Sequence, residues 1–385
     1  PADSPAEVEL VRDGDVFSVG KISLRVLHTP GHTPEHVCFL VTDLGGGASE
    51  PMGILSGDFL FVGDLGRPDL LESAAGEVGA MEPAAVRVWV STHLLEPFAE
   101  HLQVWPAPGA GSACGKALGA VPTSTLGYER RFNASLRLAD AGREQFVDGI
   151  LEGQPEPPLY FARMKRQNRD GVPAARELDD VAELAAADLP TTAARDGVAA
   201  LDTRRDRTAY LAEHWRGAMW APWGGADFLA IAGSYLEPER RIVLIGDPRL
   251  GAPMSRALYR IGLDRVVGGV APETLAAPDV ELARIESVDW AAVRERMDDP
   301  AVEVLDVRRA AEHAAGAVPG ARNIAHTRLR DRLDELDRDR RLLVHCQSGH
   351  RAGVAASYLE SEGFDVVHVD ANMADWRREA AAAAS

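Results

Sequence analysis

The sequence predicts an α/β protein of two to three domains, on three observations. Its 385 residues exceed what one ordinary domain holds. Short strands separated by Gly, Pro and Asp fill the stretch from Val16 to Val62 and read as antiparallel β structure. Behind them, apolar strands alternate with helical patterns in an internal repeat of roughly 100 residues, each copy reading as a small parallel α/β domain.

The front strands are Val16 to Val19, Ile22 to Leu27, His36 to Val41 and Met52 to Leu55, with Asp43 to Pro51 a flexible, glycine-rich connection. Two polar loops follow apolar strands: Leu27 to His36, and Ser56 to Leu70. A charged stretch from Arg163 to Pro173 reads as the hinge out of this domain. In the first copy of the repeat, Val198 to Asp202 and Arg241 to Ile245 are strands, followed by a helix from Met254 to Ile261 and a strand from Arg265 to Val267. The second copy repeats this with Val302 to Asp306, Arg341 to Val344, a helix from Ala352 to Glu360 and a strand from Asp365 to Val369. Trp215, Trp220 and Trp223 cluster in the first copy and read as packing rather than a ligand cage.

Composition narrows the class. With 41 basic against 59 acidic residues the net charge is -18, which argues against nucleic acid or an anionic membrane as partner. Cys38, Cys114 and Cys346 are too few and too dispersed for a disulfide framework. No apolar run approaches the ~18 residues of a membrane span and no signal peptide opens the chain, so a soluble cytoplasmic protein is expected.

The second copy carries the chemistry. Leu342-Leu343-Val344 reads as a buried strand, and Val354/Tyr358 and Ala355/Leu359 recur at helical spacing, so Cys346-Gln347-Ser348-Gly349-His350-Arg351 sits at a strand-to-helix turn. Backbone amides of the turn, the helix dipole and Arg351 all favour thiolate over thiol, and such settings lower a cysteine pKa from about 8.5 to roughly 3.5–7.5. Cys346 is therefore the expected nucleophile and Arg351 its electrostatic partner, with Gln347, Ser348, Gly349 and His350 forming a cradle. Four residues between Cys346 and Arg351 make a cradle about right for one sulfur atom. A buried, inert core cysteine is the plainer alternative.

This loop resembles the active-site loop of the rhodanese sulfurtransferases, in which the cysteine carries sulfane sulfur as a persulfide. Asp306-Val307-Arg308, Glu312-His313 and Val318 to Ile324 resemble further landmarks of that family in the same order. Ala317 replaces a usual His, and Asp370-Ala371-Asn372 replaces a usual Gly-Gly turn. In the first copy Asp247 stands in the place of Cys346, and a carboxylate neither bonds sulfane sulfur nor welcomes an anionic acceptor. That copy is expected to be a silent scaffold.

The front loops, "HTPGHTPEH" and "SGDFLFVGDLGRPDL", resemble the second half of a metallo-β-lactamase fold, nearest to its persulfide dioxygenase branch. The resemblance implies one Fe(II) held by His32, Asp58 and an earlier His, and makes Arg67 a candidate for the substrate's anionic end. Two histidines and a carboxylate leave one face of iron open for O2 and a thiolate-type substrate. His28 and His36 are read as loop-stabilising. The family's first cluster, His-x-His-x-Asp-His, is missing from the 31 residues before His32, so the domain is expected to be N-terminally truncated. Trp105 to Lys116 resembles the family's "PAHGAGSxCGK" with Pro108 in place of His, which speaks against a binuclear hydrolase. Cys114 in this turn is open between a structural thiol and a redox role.

Taken together the chain resembles a persulfide dioxygenase-rhodanese fusion. The implied fold is a partial metallo-β-lactamase αβ/βα sandwich (1–165), an inactive rhodanese-like domain (175–275) and an active one (285–380). The implied function is oxidation of a low-molecular-weight persulfide by O2 at Fe(II), joined to sulfur transfer through Cys346, with sulfite and thiosulfate as products. Two alternatives stay open: a sulfurtransferase with a metal-free front domain, and a thioester hydrolase. Glutathione, coenzyme A or a similar thiol would carry the persulfide, and a homo-oligomer is compatible with the sequence.

Overall fold

The computed structural model describes residues 9–383, apart from 75, 110–113, 117–118, 173–176, 179, 186–196, 226 and 278–279. Two compact units divide the chain: Pro1–Pro157 with Phe161–Pro173, and Pro158–Tyr160 with Ala174–Ser385.

In the first unit six strands form one sheet in chain order: β1 (Val16–Val19), β2 (Ile22–His28), β3 (Val37–Asp43), β4 (Gly53–Gly57), β5 (Gln103–Pro106) and β6 (Ser124–Thr125). All neighbours run antiparallel except β4 and β5. Period-two alternation buries Cys38, Leu40, Ile54 and Val104 in a core shared with helices Met81–His93 and Arg143–Leu151. Full burial of each aliphatic side chain is worth about 1.5–3 kcal/mol. The other face of the same strands is only partly covered: Phe39 and Val41 are half-buried and Leu55 is 42% exposed.

Two predicted segments differ. The Asp43 to Pro51 connection begins as a short 3-10 turn, Leu44–Gly46, because the Asp43 carboxylate accepts the Gly46 N–H at 3.0 Å. The expected hinge from Arg163 is helical from Tyr160 to Asp170. Its polar residues lie on the solvent side of an amphipathic helix that buries Phe161, and polarity alone did not distinguish that from a linker. The last expected hinge residue, Pro173, lies outside the described residues, as do 110–113 of the glycine-rich turn that precedes Cys114.

The second unit holds two parallel sheets. The first, in the order β11-β10-β7-β9, is built from β7 (Val198–Asp202), β9 (Ala218–Trp220), β10 (Arg241–Ile245) and β11 (Val266–Val270), with β8 (His214–Trp215) and β12 (Leu282–Ala283) paired separately. The second, β13-β17-β16-β14-β15, uses β13 (Glu286–Val288), β14 (Val302–Asp306), β15 (Arg322–Asn323), β16 (Arg341–His345) and β17 (Val366–Val369). The repeat is visible in the register. Asp202 pairs with Ile245 as Asp306 pairs with His345, and each aspartate holds an arginine two residues on, Arg204 and Arg308. Leu201, Met219 and Trp220 of the first copy share one core with Leu305, Val344 and Leu359 of the second. Trp220 is 1% exposed and its amide donates to Ser357 Oγ at 2.9 Å, so the tryptophans pack, as expected.

Candidate active site

Cys346 follows β16 and precedes the helix His350–Ser361, so the predicted strand-to-helix turn is present. Gly349 caps the helix at φ +88°, and its amide donates to Cys346 Sγ at 3.2 Å. The loop holds this orientation because its carbonyls are occupied elsewhere. Gln347 O accepts the Met373 N–H at 2.9 Å, Ser348 O accepts from Arg207 at 3.3 Å, and Gly349 O accepts from His368 Nε2 at 2.9 Å. With the carbonyls turned away, the amide side of the turn is left for the sulfur. Cys346 is buried, with Ser348 exposed and Gln347 and His350 half-buried around it.

Other parts of the unit brace the loop. Gln347 Nε2 donates to Asn372 Oδ1 at 3.2 Å, and Trp290 Nε1 donates to Asn372 O at 2.8 Å. Asp370 pairs with Arg207, and His350 Nε2 lies 2.8 Å from Asp227 Oδ2. Sequence reasoning missed Arg207, Asp227, Asp370 and Asn372. Asp370 and Asn372 had left a signal, as departures from a Gly-Gly turn, while Arg207 and Asp227 lie over 100 residues away and left none.

Arg351 has a carboxylate partner of its own. Its guanidinium makes a bidentate pair with Glu312, at 2.6 and 2.8 Å, so its charge is shared with a carboxylate before any substrate arrives. Burial works against the charge on Glu312, but hydrogen bonds from Arg351 prevail and hold its carboxyl below the usual range. Asp247, at the cysteine's place in the first copy, caps a short turn and pairs with Arg249 at 2.6 Å.

In the first unit, His32 Nδ1 lies 3.1 Å from Arg67 O. A carbonyl only accepts, so Nδ1 carries the proton and Nε2 is the nitrogen left to ligate. Gly66 is obligatory beside it, since a Cβ there would fall 1.8 Å from Asp58 O. His36 links the two loops: its Nε2 accepts the Asp58 N–H at 3.0 Å and its Nδ1 meets Thr29 Oγ1 at 2.8 Å. Burial lowers its pKa, so it acts as a neutral brace, as expected. His28 Nε2 contacts Pro34 O at 3.0 Å, also a loop contact. Arg67 is buried at 1% and its guanidinium is bound by Asp69, which corrects the expectation of an arginine open to a substrate anion. Burial pushes the Cys38 thiol up to about 12, leaving it inert.

No group of three metal-binding side chains occurs among the described residues. His32 and Asp58 supply two donors of a kind that suits a divalent transition metal, but two do not complete a site. No helix among the described residues is long and apolar enough to cross a membrane.

Residues 289–379 match the family model of the rhodanese-like domain. The putative sulfurtransferase YtwF of Bacillus subtilis is 31% identical over 96 residues, 25% of this chain and 93% of that protein. The chain belongs to the rhodanese family. Thiosulfate sulfurtransferase GlpE of Pseudomonas fluorescens is similar in the same way, 33% identical over 98 residues, 25% of this rhodanese and 86% of the relative. A solved metallo-β-lactamase from Staphylococcus aureus is 39% identical, with a TM-score of 0.62, over 70% of this chain and 73% of that one. That share exceeds the first unit, so the likeness runs on into the second. The protein is thus an enzyme with a metallo-β-lactamase-fold front part and rhodanese-like structure behind it.

Proposed function

We propose that this rhodanese transfers sulfane sulfur through Cys346. The observation that carries the reading is the Gly349 amide on Cys346 Sγ, in a turn whose carbonyls are tied outward. The thiolate attacks the outer sulfur of a donor, the donor's S–S bond breaks, and Cys346 is left as a persulfide. Sulfite then attacks that outer sulfur, giving thiosulfate and regenerating the thiolate. The Gly349 amide aimed at the anion stabilises it, and enclosure at 1% exposure keeps water from competing. Arg351, held by Glu312, orients the mouth of the loop. Asp247 fits a silent first copy, residues 175–275, beside an active one, 285–380. Replacing Cys346 by Ser should abolish transfer, and persistence of transfer would refute this nucleophile.

For the metallo-β-lactamase-fold unit we propose persulfide dioxygenase chemistry, with a low-molecular-weight thiol persulfide and O2 as substrates. The tautomer set on His32 by Arg67 O favours a ligating Nε2, and Asp58 is held close by through His36. Fe(II) would supply the O2 chemistry, but only where a third donor joins these two. Iron content and oxygen uptake with glutathione persulfide test this reading; uptake without iron, or iron without uptake, would refute it. A thioester hydrolase is disfavoured by Pro108.

A further inference from the structure

One pair of side chains near the sulfur is not used by the scheme above. His350 sits on the first turn after the cysteine loop and is half-exposed. Its Nε2 is 2.8 Å from Oδ2 of Asp227, a residue of the first copy of the repeat. The contact holds Asp227 below the usual carboxylate range, so it is ionised and can only accept; Nε2 therefore donates. Nδ1 is left as the nitrogen that can take up and release a proton, with no described residue bonded to it. Trp220 holds the ring edge-on, centroids 5.2 Å apart. The other titratable group that faces both members of this pair is His326, which in turn faces Arg351 and Arg309. Burial lowers His326 to about 3, so it stays neutral and does not compete for the proton.

Sulfur donors differ in whether they need a proton. When a thiolate takes sulfur from thiosulfate, sulfite leaves as a stable dianion and no proton moves. When it takes sulfur from a thiol persulfide R–S–SH, the S–S bond breaks toward R–S⁻, a poor leaving group unless protonated, while the new Cys–S–SH has a proton to shed. A base beside the sulfur can carry that proton from one product to the other, with no net change.

We propose that Asp227 of the cysteine-less copy and His350 form a proton-relay pair that fits this site to thiol persulfides over thiosulfate. His350 gives its proton to R–S⁻ as the donor's S–S bond breaks and recovers one from the enzyme persulfide, leaving R–SH and Cys346–S–S⁻. Asp227 steadies the charged ring throughout and acts as a positioning residue. The inference rests on Cys346 as the sulfur carrier.

The test is single-turnover loading of Cys346 from glutathione persulfide and from thiosulfate, across pH, in the full chain. For Asp227→Asn and His350→Gly the ratio of the two rates should fall by on the order of 100-fold, the low end of the range for a lost proton-transfer group. Imidazole should restore the ratio in His350→Gly, and Asp227→Glu should retain it. Equal loss with both donors would mean the pair only supports the fold and would overturn the proposal, as would an unchanged ratio. Failure of the underlying reading looks different: Cys346→Ser would then still accept sulfur from either donor.

Discussion

Gly349→Ala tests the architecture of the loop most directly. At φ +88° a side chain costs about 1–2 kcal/mol of backbone strain. The new Cβ would also fall 2.7 Å from Arg207 Nη1 and 2.9 Å from Asp370 Oδ1, forcing that pair apart. The pair is partly exposed, at 23% and 45%, so its loss adds up to about 1 kcal/mol. The sum is about 1–3 kcal/mol, roughly a 2–12 °C fall in Tm for a unit of this size. Displacing the Gly349 amide from the sulfur forfeits a hydrogen bond to a charged group, about 1.5–3 kcal/mol, so sulfur transfer should slow by roughly 10- to 100-fold. Gly320→Ala is the control. Its φ is +75° but nothing lies within 4 Å, so it carries the strain without the clash and leaves the sulfur contact alone. Thermal unfolding and single-turnover transfer read both quantities. If Gly349→Ala matched Gly320→Ala in both, the clash and the amide contact would have no energetic meaning.

Stability should fall with acid in two stages. Burial keeps His345 at about 4 and His326 at about 3, and lowers His36 and His368. The unfolded chain takes up these protons near pH 6.5 and the folded one does not, so stability is lost as pH drops from about 6.5 toward 4, on the order of 3 kcal/mol for His345 alone. The lowered carboxyls of Asp306, Asp227 and Glu312 add a second loss only below about pH 4. Urea midpoints that stay flat between pH 7.5 and 5 would refute the first stage. Asp69→Asn removes the carboxylate that binds the buried Arg67 guanidinium and should cost about 1.5–3 kcal/mol in the first unit, read by denaturation; no measurable cost would show that this ion pair contributes nothing to the fold. His32→Ala and Asp58→Ala should each lower the iron retained by the protein while thiosulfate-dependent transfer at Cys346 continues; parallel loss of both activities would refute two separate sites.

The chain order alone specified the strand-turn-helix around Cys346, because apolar run, loop and helical spacing are local and lie within one short segment. It also specified the internal repeat, the aspartate at 247 in the cysteine's place, and the pairing of His32 and Asp58 with their loops, since these rest on residue type at fixed spacing. Neighbours distant in sequence decided the rest. Whether Arg67 and Arg351 meet a substrate or a carboxylate depends on Asp69 and Glu312 reaching them first, and ion pairing in a low-dielectric interior overrides the charge that spacing suggests. The direction of the loop's amides is likewise a tertiary matter. It follows from Arg207, His368 and Met373 claiming the carbonyls, and only folding brings those groups within hydrogen-bond distance of residues 347–349.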